Sequence, residues 1–196
     1  MQLETRRERV PAGRTVALRG FVASPDPQCS TNQRVKLRRR VHGTGPRYHA
    51  FRRVMTNDEA RFSIDVRARQ SADYLAVVAA STGCRKGVSN PVQVLAMVRI
   101  TVRVDDATPA RFSNFRIHGR LLPKHVGTRV ILERKRGETW RRYRGYRQQR
   151  LARGSSFSYF VDAKWSGARV FRIRWRKADH DHEANASRSL SIRTHS

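Results

Sequence analysis

Residues 92–104 read VQVLAMVRITVRV. Val92, Val94, Ala96, Val98, Ile100, Val102 and Val104 fall at every second position, and a period of two is the signature of β-strand. At ~3.3 Å per residue the whole run as one strand would be far longer than the ~5–6 residues usual in globular sheets. The economical reading is two strands end to end, one over about 88–96 and the next over about 98–104. A junction there divides the chain into 1–97 and 98–196.

Working outward, the two halves carry related short motifs. Leu18-Arg19-Gly20-Phe21-Val22 lies against Ile117-His118-Gly119-Arg120-Leu121, and Val35-Lys36-Leu37 against Val130-Ile131-Leu132. Phe62-Ser63-Ile64 lies against Phe157-Ser158-Tyr159, and Ser89 against Ser187. A unit repeated at a near-constant offset is expected to be one structural module used twice. In the first half the alternation predicts strands over roughly 14–23, 33–41, 47–55, 60–67, 73–80 and 88–96. Turn formers separate them, among them Ser24-Pro25-Asp26-Pro27, Gly43-Thr44-Gly45-Pro46 and Asn57-Asp58-Glu59. Short strands at this spacing with no helical period predict an all-β chain of two tandem immunoglobulin-like β-sandwiches, 1–97 and 98–196.

There are two cysteines, Cys29 and Cys84. Cys29 precedes the strand at 33–41, and Cys84 lies in the loop between the strands at 73–80 and 88–96. In a sandwich both loops can sit at one end, so the pair reads either as a bridge or as two separate buried thiols. A bridge would stabilise the fold by roughly 4 kcal/mol through loop closure. The second half has no cysteine and is expected to rely on core mass, with Trp140, Trp165 and Trp175 as the extra bulk.

The pattern Gly20-x-Val22, Cys29, Val35-x-Leu37, Phe62-Ser63-Ile64, Tyr74-x-Ala76, Cys84 and Ser89-Asn90-Pro91-Val92 resembles the tandem immunoglobulin-like or fibronectin-III-like repeats of secreted and surface proteins from high-GC Gram-positive bacteria. The second half, through Gly119-Arg120-Leu121-Leu122-Pro123, Gly127-x-x-Val130 and Phe171-Arg172-Ile173, is similar to a second repeat type of such proteins. The resemblance implies an extracellular, non-catalytic module with Cys29 bonded to Cys84. The chain departs from the pattern at Asn57-Asp58-Glu59-Ala60, a turn that carries glycine in such repeats.

The formal net charge is +27, from 42 basic and 15 acidic residues. A field this positive draws anionic partners, and its reach falls with salt. The candidates are anionic cell-envelope polymers, with single-stranded nucleic acid as the alternative. The stretch ETWRRYRGYRQQRLARG at 138–154 offers the residues for both. Trp140, Tyr143 and Tyr146 are interleaved with Arg141, Arg142, Arg144, Arg147, Arg150 and Arg153, and ring-plus-guanidinium surfaces suit bases and phosphates. The plainer expectation is a sheet with aromatics half-packed and arginines on the wet face.

Catalytic signatures are sparse. There is no Gly-x-Ser-x-Gly elbow, no glycine-rich phosphate loop and no Cys-x-x-Cys pair, and no cofactor is expected. Asp179, His180, Asp181 and His182 supply ligand types for a divalent metal, although such sites usually draw on more than one segment. No apolar run is long enough to span a membrane as a helix. MQLETRRERVPAG at the start lacks the apolar core of a signal peptide, so the expectation is a piece of a longer secreted protein or, alternatively, a cytoplasmic one.

Overall fold

The computed structural model describes residues 1–145, 148–176 and 180–195. Among them the chain is all-β, and its helical content is one 3-10 turn, Pro27–Cys29. It forms two compact units. The first comprises Met1–Met97 with Asp179–Glu183, the second Val98–Ala178 with Ala184–Ser196. Each is an immunoglobulin-like β-sandwich.

The strands of unit 1 are β1 (Gln2–Thr5), β2 (Arg9–Pro11), β3 (Thr15–Phe21), β4 (Arg34–Val41), β5 (His49–Met55), β6 (Arg61–Arg67), β7 (Ala72–Val78), β8 (Gly87–Val88) and β9 (Val92–Met97). One sheet has the order β1-β3-β6, and the other β2-β9-β7-β4-β5 with β8 on β7. All neighbours are antiparallel except β2 and β9, which run parallel. The alternation sets the layers. On β4, Val35 and Leu37 are buried while Lys36 and Arg38 are exposed. Leu18, Val66, Tyr74, Ala76 and Val94 join Val35 and Leu37 in one core between the sheets. Each fully buried Val or Leu contributes about 1.5–3 kcal/mol relative to exposure.

Unit 2 follows the same plan, with an isolated parallel bridge, Ala110 to His195, in the place of β2 and an added strand beside the one at Arg129–Arg136. Its strands are β10 (Arg99–Val104), β11 (Asn114–Leu122), β12 (Arg129–Arg136), β13 (Thr139–Arg142), β14 (Gln149–Arg150), β15 (Ser156–Asp162), β16 (Gly167–Trp175), β17 (Asn185–Ala186) and β18 (Leu190–Thr194). The sheets are β10-β11-β15 and β13-β12-β16-β17, with β14 on β12 and β18 on β16. The core is heavier than that of unit 1, built from Phe115, Phe171, Trp165 and Trp175 among others. Trp140 does not join it. Its register partner is Lys135 of β12, which points away from the core, so Trp140 lies half-buried on the outer face.

The run at 92–104 is two strands, β9 and β10, with Val98 between them. The chain also contains β1 and β2, which the strand pattern of the first half does not resolve. β2 spans three residues and ends on Pro11, too short for a period to show.

Gly20 and Gly119 occupy matching places. Gly20 pairs with Leu3 on one side and Phe62 on the other, and Gly119 with Val102 and Phe157. A Cβ at Gly20 would meet the Gln2 carbonyl oxygen and the Phe62 ring, and at Gly119 the Thr101 carbonyl oxygen and the Phe157 ring. The aromatic covers the gap that a strand glycine leaves. The serines match too. Ser89 Oγ accepts from Ala76 N–H at 3.0 Å and Ser187 Oγ from Ile173 N–H at 2.9 Å, each donating onward to the next residue's carbonyl.

Candidate anion-binding faces

The 138–154 stretch is split by the sheet. β13 ends at Arg142, and the chain turns at Gly145, whose φ is +85°. Trp140 faces outward, where Arg172 of β16 lies over its ring at 4.3 Å. Tyr143 faces the other way. Its ring packs edge-on against core Phe171, 5.3 Å between centroids, under the guanidinium of Arg134. Arg141, Arg142, Arg144 and Arg153 are exposed, and Arg150 donates from Nε to the Gly127 carbonyl at 3.1 Å. Tyr146 and Arg147 lie outside the described residues. The two described rings therefore do not form one stacking platform, because each already carries a guanidinium.

The centre of this outer face is Glu133, buried at 5% exposure. Its carboxylate accepts from Arg172 Nε at 2.7 Å and Arg174 Nη1 at 3.3 Å. An unpaired buried carboxylate would be costly, and two partly covered guanidiniums satisfy it. Trp140, Arg172, Glu133 and Arg174 make a structural network across β13, β12 and β16.

In unit 1 the buried acid is Asp73 on β7. Arg40 donates to Oδ2 at 2.6 and 3.1 Å, and His42 Nε2 lies 3.1 Å from Oδ1. Burial pushes this carboxyl up, but the bonds from Arg40 and His42 outweigh that and hold it below the usual carboxylate range.

Cys29 and Cys84 are bonded, with a Cα–Cα separation of 5.4 Å. Cys29 ends the 3-10 turn after β3, and Cys84 closes the turn after β7 that bridges to Ser81. The two loops meet at one end of the sandwich.

Three of the four residues of the His-Asp segment, His180, Asp181 and His182, are described. Asp181 and His182 come together, Nδ1 of His182 being 3.1 Å from Asp181 Oδ1. The other ring nitrogen of His182 contacts the Arg69 carbonyl at 3.0 Å, and Gln70 donates to Asp181 Oδ2 at 2.8 Å. Protein groups thus occupy both nitrogens. His180 is exposed beside Gly43, and Asp179 lies outside the described residues. Among the described residues no group of three or more His, Cys, Asp or Glu is placed to hold a metal ion.

Cations without nearby carboxylates gather elsewhere. In unit 1, Lys36 and Arg38 of β4, Arg53 of β5 and Lys86 surround a groove of about 610 Å³ floored by Phe51 and Val77. In unit 2, Arg99 and Arg103 of β10, His118 and Arg120 of β11, and Arg188 line a groove of about 850 Å³. Among the described residues no acidic one lines either groove. The sequence reading missed both, because it followed the apolar members of each alternating pair. The signal was there in the other members: Lys36 and Arg38 flank Leu37, and Arg99 and Arg103 flank the Ile100–Val102 core positions.

Among the described residues no helix is long and apolar enough to cross a membrane. No family model and no curated protein matches the chain. Among solved structures it is similar to one titled "D0-D1 domain of Intimin", at 11% identity, 98% coverage of each chain and a TM-score of 0.38. A likeness that distant carries no argument, and the fold assignment stands on the strand order.

Proposed function

We propose that this chain is a non-catalytic structural and adhesive module that works outside the cytoplasm and associates with anionic polymers of the cell envelope. The observation that supports it most is the placement of charge. Each sandwich carries on a sheet face a shallow groove lined, among the described residues, by cations and by no carboxylate. Broad, open, cationic surfaces suit an extended polyanion, whereas small-molecule sites are concave and mostly apolar. The Cys29–Cys84 bridge fits an oxidising compartment. The nucleic-acid alternative loses its best support, since Trp140 and Tyr143 are engaged within the fold.

The test is binding of the full chain to purified poly(glycerol phosphate), with uncharged dextran and single-stranded oligo(dT) beside it. The reading expects binding to the phosphate polymer, log affinity that falls linearly with log salt, no binding to dextran, and polymer of unchanged length after prolonged incubation. Equal retention on dextran, or cleavage of the polymer, would falsify it.

A further inference from the structure

The outer face of the β10-β11-β15 sheet has an order that net charge does not require. Arg99, Thr101 and Arg103 alternate on β10 with buried Ile100 and Val102. Across the antiparallel register, Arg103 stands opposite His118, Thr101 opposite Arg120, and Arg99 opposite Leu122. Directly paired residues share a face. The face therefore has three successive rows along the strand, each with an arginine: Arg103, Arg120, Arg99. Rows two residues apart are about 7 Å apart. Arg188 adds a fourth cation to the groove.

The neighbours leave these cations available. Thr101 Oγ1 bonds the Arg120 backbone, not its guanidinium, at 3.2 and 3.3 Å. The nearby acid, Asp105, is turned toward Arg116, accepting its backbone N–H at 2.7 Å with a guanidinium contact at 3.9 Å. Beneath the face, His118 Nδ1 and Ser158 Oγ, on residues opposite each other across β11 and β15, are buried and have no hydrogen-bond partner among the described residues.

We propose that this row of arginines is the polymer-binding site of unit 2, and that its ligand is a flexible linear phosphodiester polymer of polyol or sugar units carrying one negative charge per repeat of about 7 Å. This rests on the proposed association with anionic envelope polymers and assigns it to one face. Charge complementarity and spacing favour such a chain. A single-stranded nucleic acid also carries phosphodiesters, but it gains affinity by stacking bases on a series of rings. Among the described residues the large exposed ring of this face is Phe160, beside Arg116 at its far end, with the His118 imidazole half-buried in the groove.

The experiment compares three forms of the full chain by fluorescence anisotropy with labelled poly(glycerol phosphate) over a salt series: wild type, Arg99→Thr/Arg103→Thr/Arg120→Thr, and the charge-matched Arg9→Thr/Arg19→Thr/Arg34→Thr, three exposed strand positions of unit 1 outside both grooves. Threonine suits exposed strand positions, and circular dichroism checks the fold. The unit 2 variant is expected to lose affinity more than tenfold and to flatten the log–log salt slope by about 2, from three lost contacts at about 0.7 each. The unit 1 variant is expected to change affinity less than threefold. Should the triple variant not fold, Arg120→Thr alone is expected to reduce the slope by about 0.7. Wild type is expected to bind this polymer more tightly than oligo(dT) of equal charge. If both triple variants lose affinity equally, or if oligo(dT) binds more tightly, the assigned site and ligand are wrong while the broader association stands. If wild type binds no polyanion, both readings fall.

Discussion

The guanidinium of Arg172 is held between Glu133 and Trp140: Nε donates to the carboxylate at 2.7 Å, and Cζ lies 4.3 Å from the ring centroid. Two strands, β12 and β16, bring the acid and the base together, and β13 supplies the ring. One face of the ring is thereby taken up within the fold.

Trp140→Ala is therefore expected to act on stability and not on recognition. Losing the cation–π contact and the cover over the Arg172–Glu133 pair should cost unit 2 about 1–2 kcal/mol. Affinity for oligo(dT) should change less than twofold. Chemical denaturation and anisotropy on the same variant check both halves. A tenfold loss of single-strand affinity with an unchanged transition would restore the stacking role.

Tyr159 sets an alkaline limit. Burial pushes its phenol up to about 12, against backbone hydrogen bonds from Gln149 and Leu132 and the charge of Arg142, which pull it down. The folded state thus keeps its proton where the unfolded chain, at about 10, has released it. The contribution is complete below pH 10 and is lost as pH rises through 12, amounting to about 2–3 kcal/mol. Tyr159→Phe should cost about 1 kcal/mol at neutral pH and remove that part of the alkaline fall. Denaturation midpoints of the two proteins followed from pH 8 to 12 should converge and then cross, since the alkaline loss exceeds the neutral-pH advantage of the wild type.

Removing the bridge should loosen unit 1. Cys29 and Cys84 are 55 residues apart in sequence, and the loop-entropy estimate for such a closure is about 4 kcal/mol. Cys29→Ala/Cys84→Ala is expected to lower the unfolding midpoint by a corresponding amount, and reductant should reproduce the shift in the wild type. Reductant that leaves the wild-type curve unmoved would contradict the assignment of that stability to the bridge.

Ala60 stores strain that a glycine would release. Its φ is +59°, and the turn is held by Ala60 N–H to the Asn57 carbonyl at 2.9 Å and by Asn57 Oδ1, which accepts from Arg61 N–H at 2.8 Å. A left-handed alanine costs about 1–2 kcal/mol, partly offset by the unfolded-state freedom that glycine adds. Ala60→Gly should therefore raise stability by about 0.5–1 kcal/mol, read as a higher thermal midpoint. Ser155 has the same geometry in unit 2, with φ +58°. It also accepts from His125 N–H through Oγ, so Ser155→Gly is expected to bring no gain.

The parts of the fold legible in the sequence are those written in one strand's own period. Val92–Val104 shows its two strands, and Val35-x-Leu37 shows which side is core. The placement of Cys29 and Cys84 in loops left a bridge open, and coordinates were needed to close it. What stayed hidden depends on partners across the sheet. Arg172 is 32 positions from Trp140 along the chain, and only the β12–β13 and β12–β16 registers bring them together. The same holds for the arginine rows. Arg120 interleaves with Arg99 and Arg103 because β11 pairs antiparallel with β10, which no local pattern announces. That Tyr143 faces opposite to Trp140, by contrast, follows from the period of two along β13, whose pairing Tyr143 N–H continues onto the Leu132 carbonyl.

The parallel match of β2 to β9, Arg9 to Leu95, Val10 to Ala96 and Pro11 to Met97, has a mechanical consequence. Tension applied to the two ends of unit 1 draws these strands past each other lengthwise. Their hydrogen bonds, including Ala12 N–H to Met97 O and Leu95 N–H to Glu8 O, must then yield together instead of one by one as in a peeled hairpin. A tether built this way should resist pulling abruptly and then give way at once. A single-molecule extension trace showing gradual, low-force opening of unit 1 would contradict it.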